Sequence, residues 1–146
     1  MIHFQTEDIR FTLKNKTLLK AWITSTIAKK KRKTGDIAFV FCSDDFLLSV
    51  NKQYLNHTTY TDIITFDYSK EDTEQPISGD IFISIPRVKE NASTYSVSFE
   101  TELHRVIIHG ILHLLGYADK TKTAKEEMTK QEDACLKALK AMQKIS

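Results

Sequence analysis

Apolar and polar positions change their period several times along the chain, and each change marks an element. Residues 2–4 and 9–13 alternate apolar with polar, the period of strand material at a sheet edge. Over residues 16–32, Leu18, Leu19, Trp22, Ile23 and Ile27 recur at helical spacing, and Gly35 supplies a stop signal. Residues 37–42 are a short apolar, aromatic run that reads as a buried strand, and Phe39, Phe41 and Phe46 are expected in the core. Ser43 followed by Asp44 and Asp45 predicts an N-cap and an acidic first turn, opening a helix that carries Phe46, Leu47, Val50 and Tyr54.

Residues 56–62 are polar and loop-like. Residues 63–68 and 80–84 read as strands, and the connection between them is rich in turn residues and acids, three of them between Lys70 and Gln75. That predicts an antiparallel pair. Pro86 opens a short helix to about Tyr95. A further helix spans residues 99–115, with Glu100 and Glu102 suited to its N-terminal dipole. The last, over residues 123–144, gathers Met128, Cys135, Leu136, Leu139 and Met142 on one face. Helices and strands mix without strict alternation, so the expected fold class is α+β: one domain over residues 1–146, a small mixed sheet packed with helices.

Composition narrows the classes. At 146 residues, 41% apolar and 27% charged, with four Gly and two Pro, the chain is neither fibrous nor disordered. No apolar run reaches the length of a membrane span, and the first residues carry no secretory pattern. Cys42 and Cys135 both fall in apolar runs, which predicts buried thiols in a reducing, cytoplasmic compartment. The net charge of +2 is neutral on partners, but Lys29 to Lys33 is an unbroken basic run. It suits either a solvated helix C-terminus or contact with phosphates.

The chemistry concentrates in His109-Gly110-Ile111-Leu112-His113-Leu114-Leu115-Gly116-Tyr117-Ala118-Asp119. Four residues apart on a helix, about 40° around its axis, His109 and His113 project from one face and can share a metal ion. Gly116 can end the helix in the left-handed conformation and turn the chain back. Asp119 then arrives with a carboxylate as third ligand, leaving an open position for water on zinc. The spacing resembles the H-x-x-x-H-x-x-G-x-x-ligand pattern of metzincin proteases, but Gly110 stands where their general-base Glu would be. Peptide hydrolysis is therefore not expected, and Gly110 would leave room beside the metal for another substrate.

The same segment resembles the H-G-x-L-H-L-x-G-Y-D-H signature of the YbeY family of endoribonucleases. Asn51-Lys52-Gln53-Tyr54 with Thr61-Asp62-Ile63-Ile64-Thr65-Phe66 is similar to its N-x-x-Y and T-[DN]-V-L-S-F stretch, and Gly79-Asp80-Ile81-Phe82-Ile83-Ser84 to its G-D-I-x-I-S strand. The resemblance implies an α+β domain with a metal at the C-terminal end of a central helix. It also implies a zinc-dependent, single-strand-acting endoribonuclease, one zinc per chain, working in late ribosomal RNA maturation at the 16S 3′ end and in ribosome quality control. Its partners would be the ribosomal RNA precursor and the small subunit or its assembly factors, with no membrane. The alternative is an assembly factor whose metal is structural.

Carried over, His109 and His113 are metal ligands, with His109 also counted at the catalytic centre. A gapless match makes Asp119 the third ligand where the family usually has His. A one-residue insertion would put Lys120 there, and Lys offers no competent ligand. The family often places Arg directly after N-x-x-Y; here that residue is Leu55, and His57 two residues on is the candidate phosphate donor or acid/base. Asp80 reads equally as a turn acid or a site residue, Asp62 as a cap, and His3 and His104 as structural or solvated.

Overall fold

The computed structural model describes residues 1–69 and 73–145. The start of the acidic connection, residues 70–72, lies outside them. Strands β1 (Ile2–Glu7), β2 (Thr34–Cys42), β3 (Ile63–Asp67) and β4 (Ile77–Ser84) form one mixed sheet in the order β1-β2-β4-β3. β1 and β4 both run parallel to β2, and the expected antiparallel pair of β3 and β4 forms the far edge, with Ile63 opposite Ile83 and Asp67 opposite Gly79. Parallel neighbours need a long crossover. Helix α1 (Lys16–Lys29) supplies the first, and α2 (Asp44–Leu55) with β3 the second. Helices α3 (Ile85–Thr94), α4 (Phe99–Leu114) and α5 (Lys122–Ile145) follow. Among the described residues, no helix is long and apolar enough to cross a membrane.

Because side chains alternate across a strand, the sheet splits its apolar residues between two clusters. Ile37, Phe39 and Phe41 of β2 and Ile77, Ile81 and Ile83 of β4 enter the main core with α1, α4 and α5. Cys42, Ile64, Phe66 and Phe82, of the other parity, pack under Phe46, Leu47 and Val50 of α2. Ser43 caps α2 as expected, its Oγ accepting from the Phe46 N–H at 3.0 Å. Tyr54 does not join the buried face: it is exposed and meets Phe66 edge-on. The indole N–H of Trp22 donates to the Cys135 carbonyl at 2.8 Å, tying α1 to α5.

Two expectations need correction. Residues 9–13 are irregular rather than strand; Ile9, Phe11 and Leu13 pack onto the main core, so their alternation reported burial, not pairing. β1 instead continues to Glu7, because backbone pairing with β2 asks nothing of its outward side chains. Gly35 is not a helix stop. α1 ends at Lys29, with Lys31 at a positive φ of 60°, and Gly35 lies inside β2. A β-carbon there would sit 2.6 Å from the Ile77 carbonyl oxygen, so glycine permits the close approach of β4.

Candidate metal centre

Ser98 caps α4, accepting from the Thr101 N–H at 3.1 Å, and the helix then runs through the main core to Leu114. There the chain turns as its glycine predicts. Gly116 takes φ of 102°; its N–H donates to the His113 carbonyl and the Tyr117 N–H to the Leu112 carbonyl, both at 3.0 Å. This paired closure is the Schellman arrangement, and it carries Asp119 back to the helix end. The result is a triangle: His109 Nε2 to His113 Nε2 is 3.0 Å, His113 Nε2 to Asp119 Oδ2 is 3.2 Å, and His109 Nε2 to Asp119 Oδ2 is 3.3 Å. A zinc tetrahedron with bonds of about 2.0–2.1 Å has edges of about 3.3 Å. Two imidazoles and a carboxylate at these separations fit a metal ion in number, chemistry and spacing.

Behind the triangle lies a residue that the motif does not contain. Glu132 of α5 is buried, and its Oε2 lies 2.6 Å from His109 Nδ1. Its Oε1 accepts from Arg105 Nη1 at 2.9 Å, and Arg105 Nη2 donates to Asp133 at 2.7 Å. At His109, burial opposes a charged imidazole, while the hydrogen bond and charge of Glu132, joined by Asp119 and Asp62, favour it. The balance lies above the ordinary value. Asp62, read as a cap, precedes β3, and its carboxylate accepts from the Asn91 amide at 3.3 Å. Burial raises its carboxyl, against the opposing influence of its own backbone N–H, His109, Asn91 and Arg87. Glu102, buried on α4, is likewise raised by burial and then by Asp62. The sequence does contain a signal for Glu132: it occupies a core position of α5, one turn after Met128 and one before Cys135 and Leu136.

The other candidates fall in different places. Gly110 does not open toward a substrate, contrary to expectation. It is buried against the sheet, where a β-carbon would meet Ile81 Cγ2 at 2.9 Å and Ile63 Cδ1 at 3.2 Å. His57 stands on the exposed loop after α2, outside the triangle. With Asn51, Leu55 and Thr61 it lines a hollow of about 330 Å³. The buried Asn51 amide donates to the Thr59 carbonyl at 2.8 Å and holds that loop. Asp80 accepts from the Tyr68 hydroxyl at 2.7 Å. His3 is exposed, and His104 is buried edge-on against Trp22. Part of the basic run comes near the turn: Lys30 Nζ sits 5.3 Å over the Tyr117 ring and donates to Gln131 at 2.9 Å. Lys30, Arg32 and Tyr117 line a hollow of about 510 Å³ beside Gly116.

Comparison with known proteins gives this geometry a family. The family model described as Endoribonuclease YbeY matches residues 1–140. The Endoribonuclease YbeY of Flavobacterium psychrophilum is 47% identical over 137 residues, covering 94% of this chain and 95% of that protein. That of Parabacteroides distasonis is 46% identical over 138 residues, with 94% and 95% covered. A solution structure of a Thermotoga maritima protein superposes with a TM-score of 0.65 at 28% identity, covering 97% of this chain and 93% of that one. By whole-length sequence match and shared fold, the chain belongs to the YbeY endoribonuclease family.

Proposed function

We propose that this chain is a zinc-dependent endoribonuclease acting on ribosomal RNA precursors in the cytoplasm, working as one domain over residues 1–146. The observation that carries the reading is the convergence of His109 Nε2, His113 Nε2 and Asp119 Oδ2 within 3.3 Å of one another at the end of α4, in a chain whose relatives bear the name Endoribonuclease YbeY. In this reading those three residues hold the zinc ion. When bound, zinc supplies Lewis acidity, stabilising charge that develops on a phosphate and making water a stronger nucleophile near neutral pH.

The protein's own residues do the rest. Lys30 and Arg32, which line the hollow beside Gly116 and Tyr117, offer cations to RNA phosphates. His57, exposed on the loop after α2, is free to donate to a phosphate or exchange a proton with the leaving group. Small-subunit precursors and their assembly factors are the expected company of such an enzyme.

The test uses a single-stranded ribosomal RNA fragment and two proteins, the parent and His113→Ala. Both are expected to bind it with similar affinity, falling with salt, and only the parent to cleave it. Cleavage that persists in His113→Ala marks a contaminating nuclease and overturns the assignment. Binding without cleavage by the parent favours an assembly factor with a structural metal.

A further inference from the structure

A buried carboxylate is costly unless its surroundings compensate it, and a well-packed apolar pair is often as stable as the ion pair it replaces. Glu132 is 7% exposed at a core position of α5. Stability of the helix packing alone would be served as well by Leu there. Both of its oxygens are committed, and in different directions: Oε2 to His109 Nδ1 at 2.6 Å, Oε1 to Arg105 Nη1 at 2.9 Å. Arg105 is one helical turn before His109 on the same face of α4, and Asp133 holds its other nitrogen at 2.7 Å. The guanidinium is thereby pinned by two consecutive residues of α5, and it in turn holds the Glu132 carboxylate beside His109.

An imidazole has two nitrogens, and the partner of one decides what the other can do. With Nδ1–H donated to Glu132, Nε2 is left with its lone pair, and Nε2 is the atom that lies 3.0 Å from His113 Nε2 and 3.3 Å from Asp119 Oδ2. We infer that Glu132, held by Arg105, is a positioning residue that fixes the tautomer and orientation of His109 for metal binding. This rests on the reading of His109, His113 and Asp119 as metal ligands. It makes α5 part of the site, although the three candidate ligands lie on α4 and the turn that follows it. It also accounts for a buried ion pair where packing alone asks for none.

The measurement is zinc affinity by competition with a chromophoric chelator, made on the parent, Glu132→Gln, Glu132→Ala and His113→Ala, with circular dichroism as the check on folding. Partners of this kind typically alter metal affinity about 10–100-fold. Glu132→Ala is expected to bind zinc within that range more weakly than the parent. Glu132→Gln, which keeps an acceptor oxygen, should recover most of the loss. A purely structural role predicts no such recovery in affinity, only changes in unfolding midpoint. Glu132→Ala binding within twofold of the parent overturns the inference. Should that variant fail to fold, long-range proton–nitrogen NMR of the zinc-loaded parent decides: the proton on His109 Nδ1 supports the assignment, and a proton on Nε2 refutes it. A parent that binds no zinc, or a His113→Ala variant that binds as tightly as the parent, defeats the metal-site reading itself, a different outcome from either.

Discussion

Adding a single methyl group at Gly110 tests how α4 is seated. A β-carbon at this position would come within 2.9 Å of Ile81 Cγ2, 3.0 Å of Ile81 Cδ1 and 3.2 Å of Ile63 Cδ1. All three atoms belong to core-facing side chains of the sheet, so relief requires an isoleucine to leave its rotamer or the helix to lift. Overpacking of this kind costs about 1–3 kcal/mol, while replacing Gly by Ala inside a helix returns about 1 kcal/mol of backbone entropy. Gly110→Ala should therefore destabilise by about 1 kcal/mol. Gly110→Val drives further methyls into the same contact and regains less from helix propensity, so about 3 kcal/mol is expected. In thermal terms each kcal/mol is about 3 °C for a chain of this size. The assay is urea unfolding in excess chelator, which removes the linkage to metal, with an unchanged slope as evidence that the unfolded state is the same. If both variants match the parent in stability and lose only RNA cleavage, Gly110 faces open space and the packing argument fails.

Asp119→His, which puts an imidazole nitrogen in place of the carboxylate oxygen at the same turn, is expected to retain stoichiometric zinc by elemental analysis, whereas Asp119→Ala should weaken binding; equal affinity in Asp119→Ala would speak against a ligand role for this residue. Burial holds the His104 imidazole below its ordinary value, against a smaller upward pull from Glu100. The unfolded chain therefore takes up that proton first as pH falls, so the contribution of His104 is complete above about pH 6.5 and is lost toward the lower folded-state value. In chelator, stability of the parent should drop relative to His104→Phe between pH 7.5 and pH 5, and parallel profiles would refute this. The Cys42 thiol is raised to about 12 by burial, with Asp44, Glu7 and Asp8 adding to it. Cys42 should react with a disulfide reagent at pH 8 only as fast as the protein unfolds, and labelling at the rate of a free thiol would contradict its burial.

The periodic elements were legible because their apolar residues recur at helical or strand spacing and their caps are local. Ser43, the Gly116 turn and the β3–β4 pair all rest on residues close together in sequence. The convergence of His109, His113 and Asp119 was legible for the same reason: the three span one helix end and its turn. What the sequence concealed depends on distant neighbours. Gly35 and Gly110 are glycines because of Ile77 and Ile81, strand residues far along the chain. Glu132 acts on His109 across a helix interface, visible beforehand only as a charge in an apolar stripe. The strand expected at residues 9–13 failed because alternation records which side chains are buried, whereas a strand requires a partner backbone.

The strand order also sets the tempo of folding. Three of the four strands join through parallel pairings that bridge about forty residues, Ile2 with Ile37 and Val40 with Phe82, while β3 and β4 meet across a short connection. Closing long loops costs entropy before any contact repays it. The pair of β3 and β4 and the helix carrying the histidines can therefore form early, and β2 must wait for partners on both sides. Its run from Ala38 to Cys42, unpaired on either edge during that interval, is the segment through which two refolding chains would associate. Refolding yield should thus fall with protein concentration, and a polar substitution at the half-buried Ala38 would relieve that loss without touching the main core.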